Sequence, residues 1–153
     1  MVDIVDAAIR SKMMSGIKGK NTKPEWVVRR YLHRSGFRYV LHRRDLPGRP
    51  DLTLPKYRAV IFVHGCFWHM HQGCRFATLP TTRPEFWLHK LEGNRARDER
   101  QAQVLMRDGW RIAVVWECSL RLQPEPTLAG LSTFLKSCAR RAEFSADQCP
   151  KIE

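Results

Sequence analysis

VIFVHGCFWHMHQGC, from Val60 to Cys74, is the most informative segment of the chain. It begins with a continuous apolar run, which is typical of a strand that is buried on both faces near the centre of a sheet. The same fifteen residues hold three histidines, two cysteines and an adjacent Phe-Trp pair. Imidazoles and thiolates bind metals, and aromatic rings stack on nucleic-acid bases. The segment therefore predicts a central strand that leads into a loop with metal-binding and base-stacking side chains.

The segments around this strand predict an α/β fold. Capping boxes at 22–25 (TKPE) and 82–85 (TRPE) each predict the start of a helix. The predicted strands are FRYVL (37–41), DLTLP (51–55), AVIFVH (59–64) and RIAVVW (111–116). The predicted helices end near Ser35 and near Gly109, and a last amphipathic helix covers 127–139. The order α-β-β-β-α-β-α predicts a mixed β-sheet flanked by helices on both faces.

A chain of 153 residues is long enough for a single domain with its own core. Gly16 and Gly19 interrupt a weakly periodic N-terminal segment, so we expect residues 1–20 to form an arm that orders on a partner and 21–153 to form the domain. We find no run of about 18 apolar residues and no apolar core of a signal peptide. These absences predict a cytoplasmic protein without a membrane span.

The five cysteines favour metal ligands or buried thiols over a disulfide framework in a cytoplasmic chain. We expect Cys138, on the last predicted helix, to pack in the core. Cys149 lies in a polar tail, and we assign it no role.

The chain carries a formal net charge of +12 and has a pI of about 10.1. An excess of this size indicates a polyanionic partner, most commonly nucleic acid. The alternative is a solvated basic surface without a specific partner.

Asp51 follows Pro50 at the start of a predicted strand that returns directly into AVIFVH. A carboxylate at a sheet edge can hold a divalent cation against a phosphate. Nucleases of the PD-(D/E)xK type place Pro-Asp on one strand and Glu-x-Lys on the next, where this chain has Phe62, Val63 and His64. His64 would then replace the lysine, and a backbone carbonyl would replace the second carboxylate. The alternative is that Asp51 is only a turn or capping residue.

Cys66, His71 and Cys74 have the spacing C-x4-H-x2-C, and Cys118 follows a later strand. Together they would make a closed tetrahedral site, which is typical of structural zinc. His69 is an alternative ligand, but His71 is nearer Cys74 and its use leaves His69 free for proton transfer. Two buried thiols and a surface histidine would also explain the pattern.

The chain has two aromatic pairs. Phe67-Trp68 lies between the predicted metal ligands, and Phe86-Trp87 lies at the start of the long helix. In a basic protein such pairs can wedge between base pairs, which is easiest where pairing is already faulty. The alternative is that these rings pack in the core.

The motifs LPGRPD, VIFVHGCFWHMHQGC, TRPEFW and GWRIAVVWEC resemble those of the very short patch repair (Vsr) endonucleases, from about Ala7 to Leu120. The resemblance implies a restriction-endonuclease-like fold with a structural zinc site. It also implies strand-specific nicking on the 5′ side of the T in T·G mismatches, which arise there by deamination of 5-methylcytosine, with Mg²⁺ as the catalytic metal. The chain departs from the family pattern at Val63, where a threonine is familiar, and by one added residue before Cys74.

The resemblance also implies roles for single residues. Asp51 and the backbone carbonyl of Val63 correspond to the Mg²⁺ ligands. His69 corresponds to the general base, while His64 and Glu25 correspond to residues that hold metal-bound waters. The structural zinc ligands correspond to Cys66, His71, Cys74 and Cys118. The intercalating aromatics correspond to Phe67, Trp68 and Trp87, and the contacts near the mismatch to Met14, Lys90 and Asn94.

The expected partner is double-stranded DNA with a T·G mismatch, bound by a monomer that is nucleoid-associated when on DNA. A MutL-type mismatch-repair protein is a further candidate partner. Two rival functions remain open: a restriction-type nuclease that cuts both strands, and a zinc DNA-binding module without catalysis. The latter would need the zinc ligands and the aromatics, but it would not need Asp51, Glu25, His64 and His69.

Overall fold

The computed structural model describes residues 21–146, which form a five-stranded mixed sheet with helices on both faces. The strands are β1 (Val40–Leu41), β2 (Leu52–Leu54), β3 (Ala59–His64), β4 (Arg111–Trp116) and β5 (Arg141–Phe144). The helices are α1 (Lys23–Arg34), α2 (Pro84–Arg107), α3 (Glu117–Leu122) and α4 (Pro124–Lys136). Single turns of 3₁₀ helix cover Pro55–Tyr57 and Arg75–Ala77. The predicted arm at 1–20, with Met14, and Cys149 lie outside the described residues.

The spatial order of the strands is β1-β2-β3-β4-β5. β1, β2 and β3 pair antiparallel, whereas β3, β4 and β5 pair parallel. The prediction that AVIFVH forms the central strand is confirmed. Because β3 and β4 run parallel, with His64 opposite Trp116, the loops that follow them leave the sheet at the same edge.

The core lies in two layers because alternate residues of the central strands face opposite sides of the sheet. Ala113 and Val115 pack in the layer that includes α1 and α4. Ile112 and Val114 pack in the other layer, against the part of α2 that includes Leu105. The predicted mixed sheet with helices on both faces is thus observed.

The predicted capping box of α1 forms with one change, because Glu25 accepts from the N–H of Asn21 and not from that of Thr22. Thr22 Oγ1 accepts a hydrogen bond of 3.4 Å from the Glu25 N–H, while Glu25 Oε2 accepts one of 2.9 Å from the N–H of Asn21. The helix predicted from the second box, at 82–85, is α2, and it begins at Pro84. Arg83 occupies the cap position of α2 in the left-handed conformation, with φ of 54°, and its side chain makes no capping bond.

Several boundaries in the second half of the chain differ from the predictions. The last long helix begins at Pro124, whose fixed φ suits a first helical turn, and it ends at Lys136. Cys138 therefore lies beyond the helix and is exposed, so its predicted burial in the core was wrong. The short helix α3 and the edge strand β5 were not predicted.

The first two predicted strands are also shorter than expected. Of 37–41 only Val40–Leu41 pairs with a neighbour, and β2 begins at Leu52, so that Asp51 lies directly before it. Among residues 21–146 we find no helix that is both long enough and apolar enough to cross a bilayer.

Candidate active site and metal centre

The carboxyl ends of β3 and β4 bring together the four predicted zinc ligands. Cys66 lies two residues after β3 and Cys118 two residues after β4, while His71 and Cys74 come from the loop between β3 and α2. One ligand atom from each side chain lies within 4.8 Å of all the others. Cys118 Sγ is 3.6 Å from His71 Nδ1, and the Cys118 N–H donates to Cys66 Sγ at 3.4 Å.

This donor set fits a closed tetrahedral metal ion. Three thiols and one imidazole supply four ligands and leave no open position, as in structural sites. Burial raises the pKa of the Cys66 thiol and lowers the pKa of His71. A neutral imidazole is the form that binds metal, and a bound cation would compensate for thiolates in this buried place.

The imidazole of His71 packs against Trp116, the last residue of β4. Its ring stacks on Trp116 with 4.0 Å between the ring centroids and 7° between the planes. Trp116 Nε1 donates a hydrogen bond of 2.5 Å to Glu143 Oε1, on β5. The unpredicted edge strand thus supports the loop that carries His71.

A second cluster, of two carboxylates and one imidazole, lies where β2 meets β3. Asp51 Oδ2 accepts a hydrogen bond of 2.7 Å from the N–H of Val63, so the Asp51 carboxylate lies directly beside the Val63 backbone. Glu25, in the first turn of α1, and His42, directly after β1, complete the cluster. His42 Nε2 is 3.2 Å from Glu25 Oε2 and 3.9 Å from Asp51 Oδ1.

The second cluster concentrates negative charge away from water. Glu25 is buried, and its Oε2 accepts a bond of 2.8 Å from the Arg29 guanidinium. Burial raises the pKa of Asp51 to about 7, and the Glu25 charge adds to this rise. A divalent cation would supply the charge that keeps the Asp51 carboxyl ionised. Since carboxylate and carbonyl oxygens are ligands that Mg²⁺ prefers, the residues fit a hard divalent ion.

His64 and His69 form a stacked pair beside this cluster. Their ring centroids are 3.7 Å apart and their planes differ by 3°. Burial lowers the pKa of His64 well below its usual value, and the neighbouring His69 adds to this effect. His69 Nδ1 lies 2.6 Å from Asp98 Oδ2, on α2. A proton shared on that side leaves His69 Nε2 with a free lone pair, which is the form of a general base.

The second cluster and the histidine pair open into one cavity of about 790 Å³. Its walls include the exposed Arg44 and Arg49. The predicted catalytic and Mg²⁺-binding residues that line it are Glu25, Asp51, Val63, His64 and His69. A phosphate that entered this cavity would meet both basic side chains and the carboxylate cluster.

The three predicted intercalating rings form a partly exposed cluster of their own. Phe67, Trp68 and Trp87 have centroid separations of 5.0 to 6.0 Å. They belong to neither of the two core layers. Lys90 Nζ lies 5.8 Å from the centroid of Trp68 and 5.6 Å from that of Trp87, and Asn94 Nδ2 donates to the Trp68 carbonyl at 3.1 Å. All five predicted DNA-contacting residues within 21–146 are thus neighbours.

Comparison with known proteins identifies the relatives of this chain. A family model described as DNA mismatch endonuclease Vsr matches residues 2–75. DNA mismatch endonuclease Vsr from Escherichia coli is 40% identical over 149 residues, which are 96% of this chain and 95% of that protein. The type II nicking enzyme V.XorIIP from Xanthomonas oryzae pv. oryzae is 51% identical over 120 residues, 78% of this chain and 88% of that protein.

This chain belongs to the Vsr family. The predicted resemblance is therefore confirmed, and with it the restriction-endonuclease-like architecture of a mixed sheet flanked by helices. The chain is an endonuclease that acts on DNA, as the prediction of its enzyme class stated.

Three residues of the site in this Vsr-family chain were missed by the sequence analysis: His42, Asp98 and Arg29. Asp98 had a usable signal, because Trp87, Lys90, Asn94 and Asp98 follow one another at helical spacing. His42 had none in the sequence alone, since its place depends on the register of β1 with β2. Arg29 was visible only as the partner four residues beyond Glu25.

Cys118→Ser removes one of the four candidate ligands in the cluster of Cys66, His71, Cys74 and Cys118. We expect bound metal and stability to fall together, because metal binding at such a site contributes directly to folding. A loss in metal affinity of at least about 100-fold corresponds to about 2.7 kcal/mol. For a chain of this size that lowers the melting temperature by about 5–10 °C. Elemental analysis and thermal unfolding measure the two effects.

Cys138→Ser is the matched control, because Cys138 is exposed and outside the metal centre. It should change neither metal content nor melting temperature. The metal site would be ruled out if both substitutions changed metal content and melting temperature equally. It would also be ruled out if the wild-type protein were metal-free and fully stable.

Proposed function

We propose that this chain is a Mg²⁺-dependent endonuclease that nicks one strand of duplex DNA on the 5′ side of the T in T·G mismatches produced by deamination of 5-methylcytosine. The relatives support this proposal by their names, which describe a mismatch endonuclease and nicking enzymes. The chain's +12 charge suits a DNA substrate.

One observation carries the proposal: the loop between β3 and α2 belongs to two sites at once. It holds His69, which faces the carboxylate cavity, and Phe67 and Trp68, which join the aromatic cluster. The four-ligand centre fixes the same loop. A base step opened by the aromatic rings would therefore lie at a fixed distance from the cavity, and this coupling is what a mismatch-directed nuclease requires.

In this proposal, the Asp51 carboxylate and the Val63 carbonyl would hold the Mg²⁺ ion. When bound, the ion would supply charge neutralisation at the scissile phosphate and a more acidic water. The Val63 N–H keeps the Asp51 carboxylate oriented, and the Arg29 guanidinium keeps Glu25 in place. Glu25 and His64 would hold waters around the ion.

His69 would remove a proton from the attacking water through its Nε2. Asp98 orients the ring and fixes the proton on Nδ1. Stacking against the neutral ring of His64 keeps His69 in the cavity wall and adds no second positive charge. Both neighbours are thus positioning residues for this step.

We propose Zn²⁺ for the centre formed by Cys66, His71, Cys74 and Cys118. Three thiolates and one imidazole are typical of structural zinc, and hard ions such as Mg²⁺ bind thiolates poorly.

Phe67, Trp68 and Trp87 would enter the base stack beside the mismatch, while Lys90 and Asn94 contact the DNA next to it. Met14, in the predicted arm, would approach the mismatch too, but it lies outside the described residues. Opening a step costs a few kcal/mol, and least where the pair is already weak. A wobble pair is therefore the preferred site of entry.

The remaining predictions stay predictions. They are a DNA-contacting arm at 1–20, an endonuclease domain at 21–153, a monomer, a cytoplasmic and nucleoid-associated location, and a MutL-type partner.

End-labelled duplexes with T·G, T·A or C·G at one position test the proposed function directly. We expect a single nick in the T strand of the T·G duplex, dependent on added Mg²⁺. Cutting of both strands would instead identify a restriction-type nuclease. Tight binding without any cleavage would identify a DNA-binding module.

Asp51→Ala should abolish nicking, because the neighbouring strand β3 (Ala59–His64) has no carboxylate that could replace Asp51. Mismatch binding should stay largely intact. Single-turnover nicking and a binding titration with the T·G duplex measure the two effects. Asp45→Ala, which removes an exposed carboxylate of the same loop, is the control and should retain activity. Retention of about a tenth of the wild-type rate by Asp51→Ala would rule out the assignment.

Asp98→Asn should lower the nicking rate by about 100-fold, because proton transfer by a correctly oriented base contributes about 10²- to 10⁴-fold. Affinity for the T·G duplex should change little. Asp108→Asn, at the exposed end of the same helix, removes an equal charge and should have no effect. Equal rates for Asp98→Asn and wild type would show that His69 does not depend on this carboxylate.

Trp68→Ala should weaken T·G binding by roughly 5- to 150-fold, since stacking of a base on an aromatic ring is worth roughly 1–3 kcal/mol. Binding of the matched T·A duplex should weaken far less, because no ring inserts there. The measurement is a pair of titrations at one salt concentration. Equal losses on both duplexes would make Trp68 a general stacking residue and exclude the wedge.

A further inference from the structure

His42 has a backbone conformation that is uncommon for residues other than glycine. It follows β1 directly, and its N–H donates a bond of 3.3 Å to the Asp51 carbonyl, one step beyond the Leu41–Leu52 pair. Its φ is +48°, in the left-handed region. Such a conformation costs about 1–3 kcal/mol outside glycine and persists where the surroundings require it. The backbone hydrogen bonds between β1 and β2, continued by this one, thus fix His42 opposite Asp51.

The imidazole of His42 points into the cavity and meets the carboxylate cluster. Its Nε2 lies 3.2 Å from Glu25 Oε2, 3.9 Å from Asp51 Oδ1 and 3.4 Å from Arg29 Nη2. The side chain is 22% exposed, so a small solute in the cavity can reach it.

These separations suit two ligands of one ion. Ligands at about 2.1 Å from an octahedral ion lie about 3.0 Å apart when they are adjacent and about 4.2 Å apart when they are opposite. The distance of 3.9 Å between His42 Nε2 and Asp51 Oδ1 is close to the separation of opposite ligands, so an ion can bind between these two atoms after a small side-chain shift. The described residues on the opposite side of the cluster are the Val63 backbone and Arg29, and neither offers a nitrogen lone pair.

We propose that His42 is a metal ligand that determines which divalent ion the site prefers. The proposal rests on the proposed function, because it concerns the ion held by Asp51. An imidazole nitrogen turns an all-oxygen site into a mixed nitrogen–oxygen site. Mg²⁺ gains little from nitrogen ligands, whereas Mn²⁺ and the later transition metals gain more. The site therefore favours Mn²⁺ over Mg²⁺.

The bound form requires the His42 tautomer with its proton on Nδ1. The Nε2 lone pair then faces the cluster. Among the described residues, only Arg29 offers it a hydrogen bond, and the distance from Arg29 Nη2 to His42 Nε2 is a long 3.4 Å. An ion displaces that weak contact and leaves the shorter bond between Arg29 and Glu25 intact. The competing role is a hydrogen bond from Nε2–H to Glu25, which would make His42 a positioning residue only.

His42→Gln separates the two roles. The amide of glutamine can still donate to Glu25, but it lacks the imidazole nitrogen. His33→Gln is the matched control, because His33 is exposed near the end of α1.

The test uses the full chain with the cysteine centre loaded with metal. Mn²⁺ and Mg²⁺ are titrated separately, with and without bound T·A duplex, which supplies phosphates without being nicked. Mn²⁺ is followed by electron paramagnetic resonance, and pulsed measurements detect coupling to ¹⁴N of a bound imidazole. Diamagnetic zinc in the cysteine centre adds no signal.

We expect ¹⁴N coupling in the wild type and in His33→Gln, and its loss in His42→Gln. Mn²⁺ affinity should fall by at least about 10-fold in His42→Gln, because the loss of even an outer-shell partner costs roughly 10- to 100-fold. Mg²⁺ affinity should change far less, because Mg²⁺ gains little from a nitrogen ligand. Absence of ¹⁴N coupling in the wild type, its persistence in His42→Gln, or failure of the wild type to bind Mn²⁺ would each overturn the proposal.

Nicking of the T·G duplex by the wild type in Mg²⁺, run in parallel, keeps the two proposals apart. Nicking without nitrogen coupling means that only the role of His42 fails. Nitrogen coupling without nicking means that the proposed function fails while His42 remains a ligand.

Discussion

The parallel pairing of β3 with β4 is the constraint on which the rest of this structure depends. It places the residues that follow both strands at one edge of the sheet, so that Cys66 and Cys118 meet although 52 positions separate them. The antiparallel pairing of β2 with the other side of β3 then brings Asp51 against the Val63 backbone. The positions of the cysteine–histidine cluster and of the carboxylate cluster are thus set by hydrogen bonding on the two sides of one strand.

The elements that the sequence predicted well are those whose signal is local. The apolar run of β3 and the Thr22 capping box required no knowledge of distant residues. β5 alternates charged and apolar residues on the edge of the sheet, so its apolar signal is weak. His42 and Asp98 could not be assigned because each acquires its partner through strand register or through the docking of α2. The exposure of Cys138 followed from a helix boundary, which local patterns locate least precisely.

The electrostatics of the cavity favour the binding of a cation. Glu25 and Asp51 place two carboxylates near one another in a poorly hydrated region, and Arg29 compensates for only one of these charges. The adjoining His64 contributes no charge, because burial keeps its imidazole neutral, and its Nδ1 has no partner among the described residues. Unsatisfied buried polar groups cost about 1–3 kcal/mol each. Such costs are expected where an arrangement is retained for chemistry.

The bond between Trp116 and Glu143 has a consequence for the order in which activity arises during synthesis. β5 is the last strand of the described sheet in chain order, and its Glu143 holds the tryptophan on which the metal ligand His71 stacks. A nascent chain whose β5 is still inside the ribosome therefore lacks the bond that holds Trp116 beside the loop after β3. The support of this early loop thus depends on a strand that is synthesised after it.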